Sequence, residues 1–130
     1  MIYIDTSALV KLIFDEPESV ALAAWLSEHM ETPKVTSEIS TIELIRVCRR
    51  LDADAVAEAR QLLAGLDLVP LGQEVLDHAG RAEPVGLRTL DAIHLASAFT
   101  LSDGVTGFVV YDTKLAEAAD AAGFEIVAPS

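Results

Sequence analysis

A single cysteine, Cys48, leaves no disulfide framework in this 130-residue chain, and the natural home of such a chain is a reducing compartment. Cys48 falls inside a helical pattern and reads as core. No uninterrupted apolar run comes near the roughly 18 residues a membrane span needs, and no basic segment precedes the apolar N-terminus. The expectation is a soluble, unexported, cytoplasmic protein with no membrane contact. Basic residues are scarce as well: 9 Lys and Arg stand against 21 Asp and Glu, a formal net charge of −12. That balance excludes a broad basic face for nucleic acid and disfavours acidic substrates at long range. Two routes around it remain. Acids gathered about a divalent cation are neutralised when it binds, and local basic groups can still follow phosphates. An acidic surface also suits a basic protein partner. Internal repeats, low-complexity tracts, linkers and a Gly-rich phosphate loop are all missing. What remains is one α/β unit, long enough to bury a core covered on both faces and, at 52% hydrophobic residues, too apolar for disorder.

The stretch around which the chain is organised is MIYIDTSALV. Met1 to Ile4 read as a buried strand, and Asp5, Thr6 and Ser7 supply side-chain oxygens for the orphan amides of a helix start. Asp5 therefore sits at a strand's carboxyl end, and ligands of open parallel sheets bind outside those ends. A hundred residues later the pattern recurs, with Phe108 to Tyr111 running into Asp112, Thr113 and Lys114. Parallel strands share their carboxyl ends, so two such strands, placed side by side in the middle of one sheet, bring both carboxylates to one crevice.

Between these ends, a short helix runs through Phe14, and Asp15 and Pro17 restart a helix to about Met30, with Pro17 in its first turn. Lys34 to Thr36 form a very short strand, and Ser37 caps a helix to about Leu51. Asp52 or Asp54 opens the next helix, which closes at Gly65 before a strand over Leu66 to Leu71. A helix follows from about Gln73, then a loop at Pro84 and Gly86. Leu87 to Leu101 is apolar nearly all round and should be central. The chain ends in a strand–helix–strand unit: Phe108 to Tyr111, Lys114 to Ala122 with Gly123 as cap, and Phe124 to Ala128. Alternating elements imply a parallel sheet.

Asp91 is the strongest anomaly, since at about 100° per residue it projects between Leu95 and Ala98 on that apolar helix. A carboxylate withdrawn from water without a partner costs several kcal/mol, so it pairs, protonates or binds metal. Arg88, three residues earlier, offers a salt bridge instead. Glu43 shares a polar strip with Arg46 and Arg50, and intrahelical pairing explains it equally well. Asp5 and Asp112 have an alternative as helix-capping acids; their shared geometry lifts them above it. Crowding of these acids should raise at least one carboxyl pKa through like charge. His94 reads as a hydrogen-bonded core histidine rather than a ligand, and Arg46, Arg49 and Arg50 as a solvated face before a phosphate contact. Thr6 and Ser7 shape the crevice.

MIYIDTSAL, the Ser37 to Glu43 stretch SEISTIE, LRTLDAIHLASA, and VVYDTKLAEAA with its trailing Gly123 together resemble the PIN-domain ribonucleases, and among them the VapC-type toxins. The resemblance covers the whole chain. It implies one PIN-like α/β domain over residues 1–130, with a central parallel sheet of four or five strands flanked by helices. It further implies an endoribonuclease in which Asp5, Glu43, Asp91 and Asp112 hold Mg²⁺ or Mn²⁺ and carry the chemistry. An antitoxin encoded alongside and a homodimer are implied partners. Val110 departs from the pattern, as many relatives carry threonine two residues before the last acid. Hard cations want oxygen donors, which these acids supply, and no soft-metal site is present. Asp5 and Asp91 are then the primary ligands, Asp112 a third or second-metal ligand, and Glu43 a ligand or water-orienting base. Two alternatives stand beside this: a metal-binding but degenerate interaction module, and an aspartate-based phosphatase, which would want a second acid where Ser7 stands.

Overall fold

Apolar runs become strands only where both faces are covered, and the computed structural model, which describes residues 1–130, has five short ones. They are β1 (Ile2–Ile4), β2 (Lys34–Ser37), β3 (Asp67–Val69), β4 (Gly107–Val109) and β5 (Ile126–Val127). All neighbours pair in parallel, in the order β3-β2-β1-β4-β5. β1 is central, and its register sets Tyr3 against Phe108 and Ile4 against Val109. The two halves of the sheet are wound outward from the β1–β4 seam, where strand order reverses. That seam is the place where a ligand crevice opens in such sheets.

Seven helices complete the chain: α1 (Thr6–Ile13), α2 (Ser19–Ser27), α3 (Ile39–Leu51), α4 (Val56–Ala64), α5 (Gln73–Gly80), α6 (Thr89–Leu101) and α7 (Thr113–Ala121). Successive strand residues face opposite sides, and the core divides accordingly. Ile2, Ile4 and Val109 pack with Leu9, Leu22, Leu44, Cys48 and Leu63 of α1 to α4. Tyr3, Val35 and Phe108 pack with Val75, Leu95 and Leu115 of α5 to α7. Full burial of each large apolar side chain contributes about 1.5–3 kcal/mol. α6 is the central helix its composition foretold, with Ala92 and every residue from His94 to Ala98 buried.

Differences from the sequence reading lie at ends. α2 begins two residues beyond Pro17, because Glu16 N–H donates to Ser19 Oγ and holds that stretch in a turn. Ser37 ends β2, and its Oγ accepts from Ile39 N–H ahead of α3. Asp52 caps a 3-10 turn (Ala53–Ala55) that leads into α4. Gly65 closes α4 at φ −87°, which needs no glycine, whereas Gly123 after α7 sits at φ +96°, which does.

Candidate active site

β1 ends at Ile4, and the chain turns directly into α1 with Asp5 as its N-cap. Asp5 N–H still donates to Val109 O across the sheet (3.1 Å), which fixes the residue at the β1–β4 seam. Its Oδ1 accepts from Ala8 N–H (3.2 Å) and Ser7 Oγ (2.7 Å), and its Oδ2 makes no hydrogen bond. Asp112 repeats the arrangement after β4: Oδ1 caps α7 through Leu115 N–H (2.9 Å), and Oδ2 faces Arg88 Nη2 (3.2 Å). Both acids are thus caps, as the bland alternative held. Capping occupies one oxygen of each. Ser7 ties the two segments together, since its Oγ also accepts from Tyr111 N–H (3.0 Å).

Asp91 enters from the first turn of α6. Its side chain is 13% exposed, Oδ2 is buried without a hydrogen bond, and the nearest cation is Arg88 Nε at 3.5 Å. A buried carboxylate oxygen with no donor is costly to keep, and it is the donor atom a hard cation takes. The salt bridge that sequence offered as an alternative therefore exists, but it is long and leaves the oxygen unsatisfied. Arg88 also reaches Asp112, so one guanidinium spans two of the four acids.

Glu43 comes from α3. It forms no ion pair with Arg46 or Arg50; Oε1 instead accepts from Thr6 Oγ1 (2.7 Å) and lies 2.8 Å from His94 Nε2. His94, buried on α6, lies 2.8 Å from Tyr3 Oη through Nδ1, and Thr6 reaches Ser40, which reaches Thr36. Tyr3 Oη and Glu43 Oε1 thus hold the two ring nitrogens of His94 from opposite sides. His94 is the core histidine expected, yet it holds one of the candidate acids. The i,i+3 spacing from Asp91 placed it on the correct face, but nothing local announced Tyr3 or Glu43 as its partners.

Electrostatics separate the acids. Burial drives the Asp5 carboxyl from 3.8 to about 6, against the lowering pull of His94 and the hydrogen bonds from Ser7 and Ala8. Asp91 is also raised, first by burial and then by the charge of Asp112, with Arg88 opposing. Glu43 goes the other way: burial works to raise it, but the hydrogen bond and charge of His94, with Thr6, hold it below the usual range. At Asp91 like charge is therefore the secondary cause and desolvation the primary one, and at Asp5 desolvation does the raising.

The acids do not form a closed cage, because no three His, Cys, Asp or Glu side chains converge as placed. An open, all-oxygen set with an unsatisfied Asp91 Oδ2 fits Mg²⁺ or Mn²⁺, which keep several waters and substrate oxygens. Farther along α3, Arg46, Arg49 and Arg50 are exposed, form no ion pair, and line a shallow cleft of their own.

A five-stranded parallel sheet with acids from β1, α3, α6 and the end of β4 at its reversal point is the architecture of a PIN domain. The family model described as "PIN domain" matches residues 2–121, and the chain belongs to that family. Within it, the similar proteins carry VapC names. The chain is 42% identical to "Ribonuclease VapC47" of Mycobacterium tuberculosis (strain CDC 1551 / Oshkosh), covering 99% of this chain and 97% of that one. It is 41% identical to "Ribonuclease VapC35" of the same strain, over 99% and 97%. Among solved structures, Mycobacterium tuberculosis VapC20, described as a sarcin-ricin loop cleaving toxin, superimposes at TM-score 0.75 and 17% identity over 95% of this chain and 96% of that one. A toxin-antitoxin complex from Klebsiella pneumoniae gives TM-score 0.72 and 22% identity over 100% and 98%. These last two show the shared fold.

Proposed function

We propose that this chain is a Mg²⁺- or Mn²⁺-dependent endoribonuclease, the toxin of a toxin-antitoxin pair, acting in the cytoplasm as a homodimer and held in check by a cognate antitoxin. The observation that carries the chemistry is the acid set at the β1–β4 seam, with Asp91 Oδ2 buried and unsatisfied. The ribonuclease names of the VapC relatives supply the substrate class. No helix is long and apolar enough to cross a membrane.

Asp5 and Asp91 would hold the cation through the Oδ2 atoms that make no hydrogen bond, and Asp112 through the Oδ2 that faces Arg88. Bound there, the cation would lower the pKa of a coordinated water and stabilise negative charge building on phosphorus during in-line displacement. Glu43, with Oε1 pinned by Thr6 and His94, keeps Oε2 to orient the attacking water and take its proton. Hydrogen bonds from Thr6 and Ser7 fix Glu43 and Asp5 before substrate arrives, so little rearrangement is needed at the reacting centre. Ser7 also fills the place where a phosphatase would want its second acid.

The test is hydrolysis of single-stranded RNA by the purified protein with Mg²⁺, Mn²⁺ or EDTA, alongside Asp5→Asn and Asp91→Asn. Metal-dependent cleavage lost in both variants, each still folded by circular dichroism, is the expected outcome. Folded, metal-binding but inert wild type would instead support the degenerate interaction module. Co-purification with the product of a gene encoded alongside, and loss of cleavage in that complex, tests the antitoxin.

A further inference from the structure

The least expected feature of the site is a cation the chain provides itself. Arg88, immediately ahead of α6, is 73% exposed, yet its guanidinium lies between two acids, Nε 3.5 Å from Asp91 Oδ2 and Nη2 3.2 Å from Asp112 Oδ2. An arginine that merely closed a structural ion pair would satisfy the buried oxygen it faces; this one leaves Asp91 Oδ2 without a hydrogen bond. Its side chain is free on the solvent side, and Nη1 makes no bond to any carboxylate. Guanidinium and divalent cation have the same attraction to these two carboxylates and cannot both be held tightly by Asp91 Oδ2.

We infer that Arg88 works in two positions: between Asp91 and Asp112 it stands in for the divalent cation, and once displaced it takes a phosphate oxygen of the bound RNA strand. This rests on the nuclease reading above and adds a residue to it. In the first position the guanidinium offsets the charge of two of the crowded acids in a chain of net charge −12. The second follows from chemistry and placement. A guanidinium released from two carboxylates remains tethered to the first turn of α6, beside the crevice, and its planar fork pairs with phosphate oxygens as it does with carboxylate. The site thus holds its phosphate-binding group out of the way until metal is present, which couples substrate capture to metal loading.

Opposite signs for metal and RNA make the test discriminating. Arg88→Gln keeps length and polarity but removes the charge, and the exposure of the side chain leaves the fold intact. By calorimetry with Mn²⁺ alone, its dissociation constant should fall by about threefold to tenfold, because a competing positive charge is gone. In steady-state cleavage its KM for RNA should rise by about threefold to tenfold with a smaller change in kcat. Arg88→Lys, which keeps the charge, should bind Mn²⁺ within about twofold of wild type. Unchanged or weaker Mn²⁺ binding by Arg88→Gln would overturn the stand-in role, and an unchanged KM would overturn the phosphate role. If wild type binds Mn²⁺ and cuts RNA while Arg88→Gln does both equally well, this inference fails and the nuclease reading stands. Wild type that does neither overturns both.

Discussion

Asp5 and Asp112 each divide a carboxylate between two tasks, which is why a capping reading and a functional reading could be drawn from the same residues. Oδ1 accepts from the helix start, and Oδ2 is left for the crevice. The division has a pH signature at Asp5. Its carboxyl is raised from 3.8 to about 6 by burial, so the folded protein binds a proton more readily than the unfolded chain in that window. Stability from this group is fully present below about pH 4 and is lost as pH rises through about 6, by an amount on the order of 3 kcal/mol for a group so buried. Glu43, with its lowered pKa, contributes in the opposite sense, gaining as pH rises out of the acid range. Asp5→Asn keeps the Oδ1 acceptor for Ser7 and Ala8 and removes the titration. In EDTA, urea unfolding of this variant against wild type should show a stability advantage that grows between pH 4 and 6.5 and is flat above. Parallel curves would mean that the Asp5 carboxyl is not raised.

At the scale of elements, the sequence showed its strand–acid–helix units clearly, because β1 and β4 are apolar runs that stop at a capping acid. Their adjacency followed from that echo and is observed. The last strand was read in the right place, over Phe124 to Ala128, but its shortening to two residues and the late start of α2 were not legible, since both are decided by what the neighbouring elements offer: β5 by pairing with Phe108 and Val109, α2 by the Ser19 bond to Glu16. Glu43 illustrates the same limit within a site. On its own helix Arg46 and Arg50 were plausible partners, and only the fold, which brings Thr6 of α1 and His94 of α6 to its carboxylate, gives it other ones. Arg88 was read as facing Asp91 alone, because its second partner comes from 24 residues away. α7 offers a separation of structural from chemical roles. Asp112→Ala should cost about 1 kcal/mol through the lost cap, while Asp112→Asn, whose Oδ1 can still accept from Leu115 N–H, should unfold close to wild type. Both should lose RNA cleavage. Equal stability of Ala and Asn variants would show that the cap contributes nothing.

At the scale of the molecule, the net charge of −12 leaves few groups to meet a phosphate backbone, and the unpaired cluster of Arg46, Arg49 and Arg50 on the same helix as Glu43 is the principal one. RNA binding should accordingly depend weakly on salt for a nuclease. Arg46→Ala and Arg50→Ala should each weaken it and lower the slope of log K against log salt by about 0.7, the contribution of one single-strand phosphate contact. An unaltered slope would return these arginines to a solvated face. A cation held by the acids at the β1–β4 seam would make metal binding and stability one quantity.

Melting of wild type and Asp91→Asn near neutral pH, in EDTA and in Mn²⁺, tests most directly whether these acids form a divalent-cation site. With Mn²⁺ a hundredfold above its dissociation constant, binding to the folded state alone adds about 2.7 kcal/mol, enough to raise the wild-type melting temperature by several degrees. Asp91→Asn, relieved of a buried unsatisfied carboxylate, should melt higher than wild type in EDTA and gain much less from Mn²⁺. A wild type indifferent to Mn²⁺, or an Asp91→Asn protein that melts lower and responds equally, would contradict the account and leave Asp91 a structural partner of Arg88.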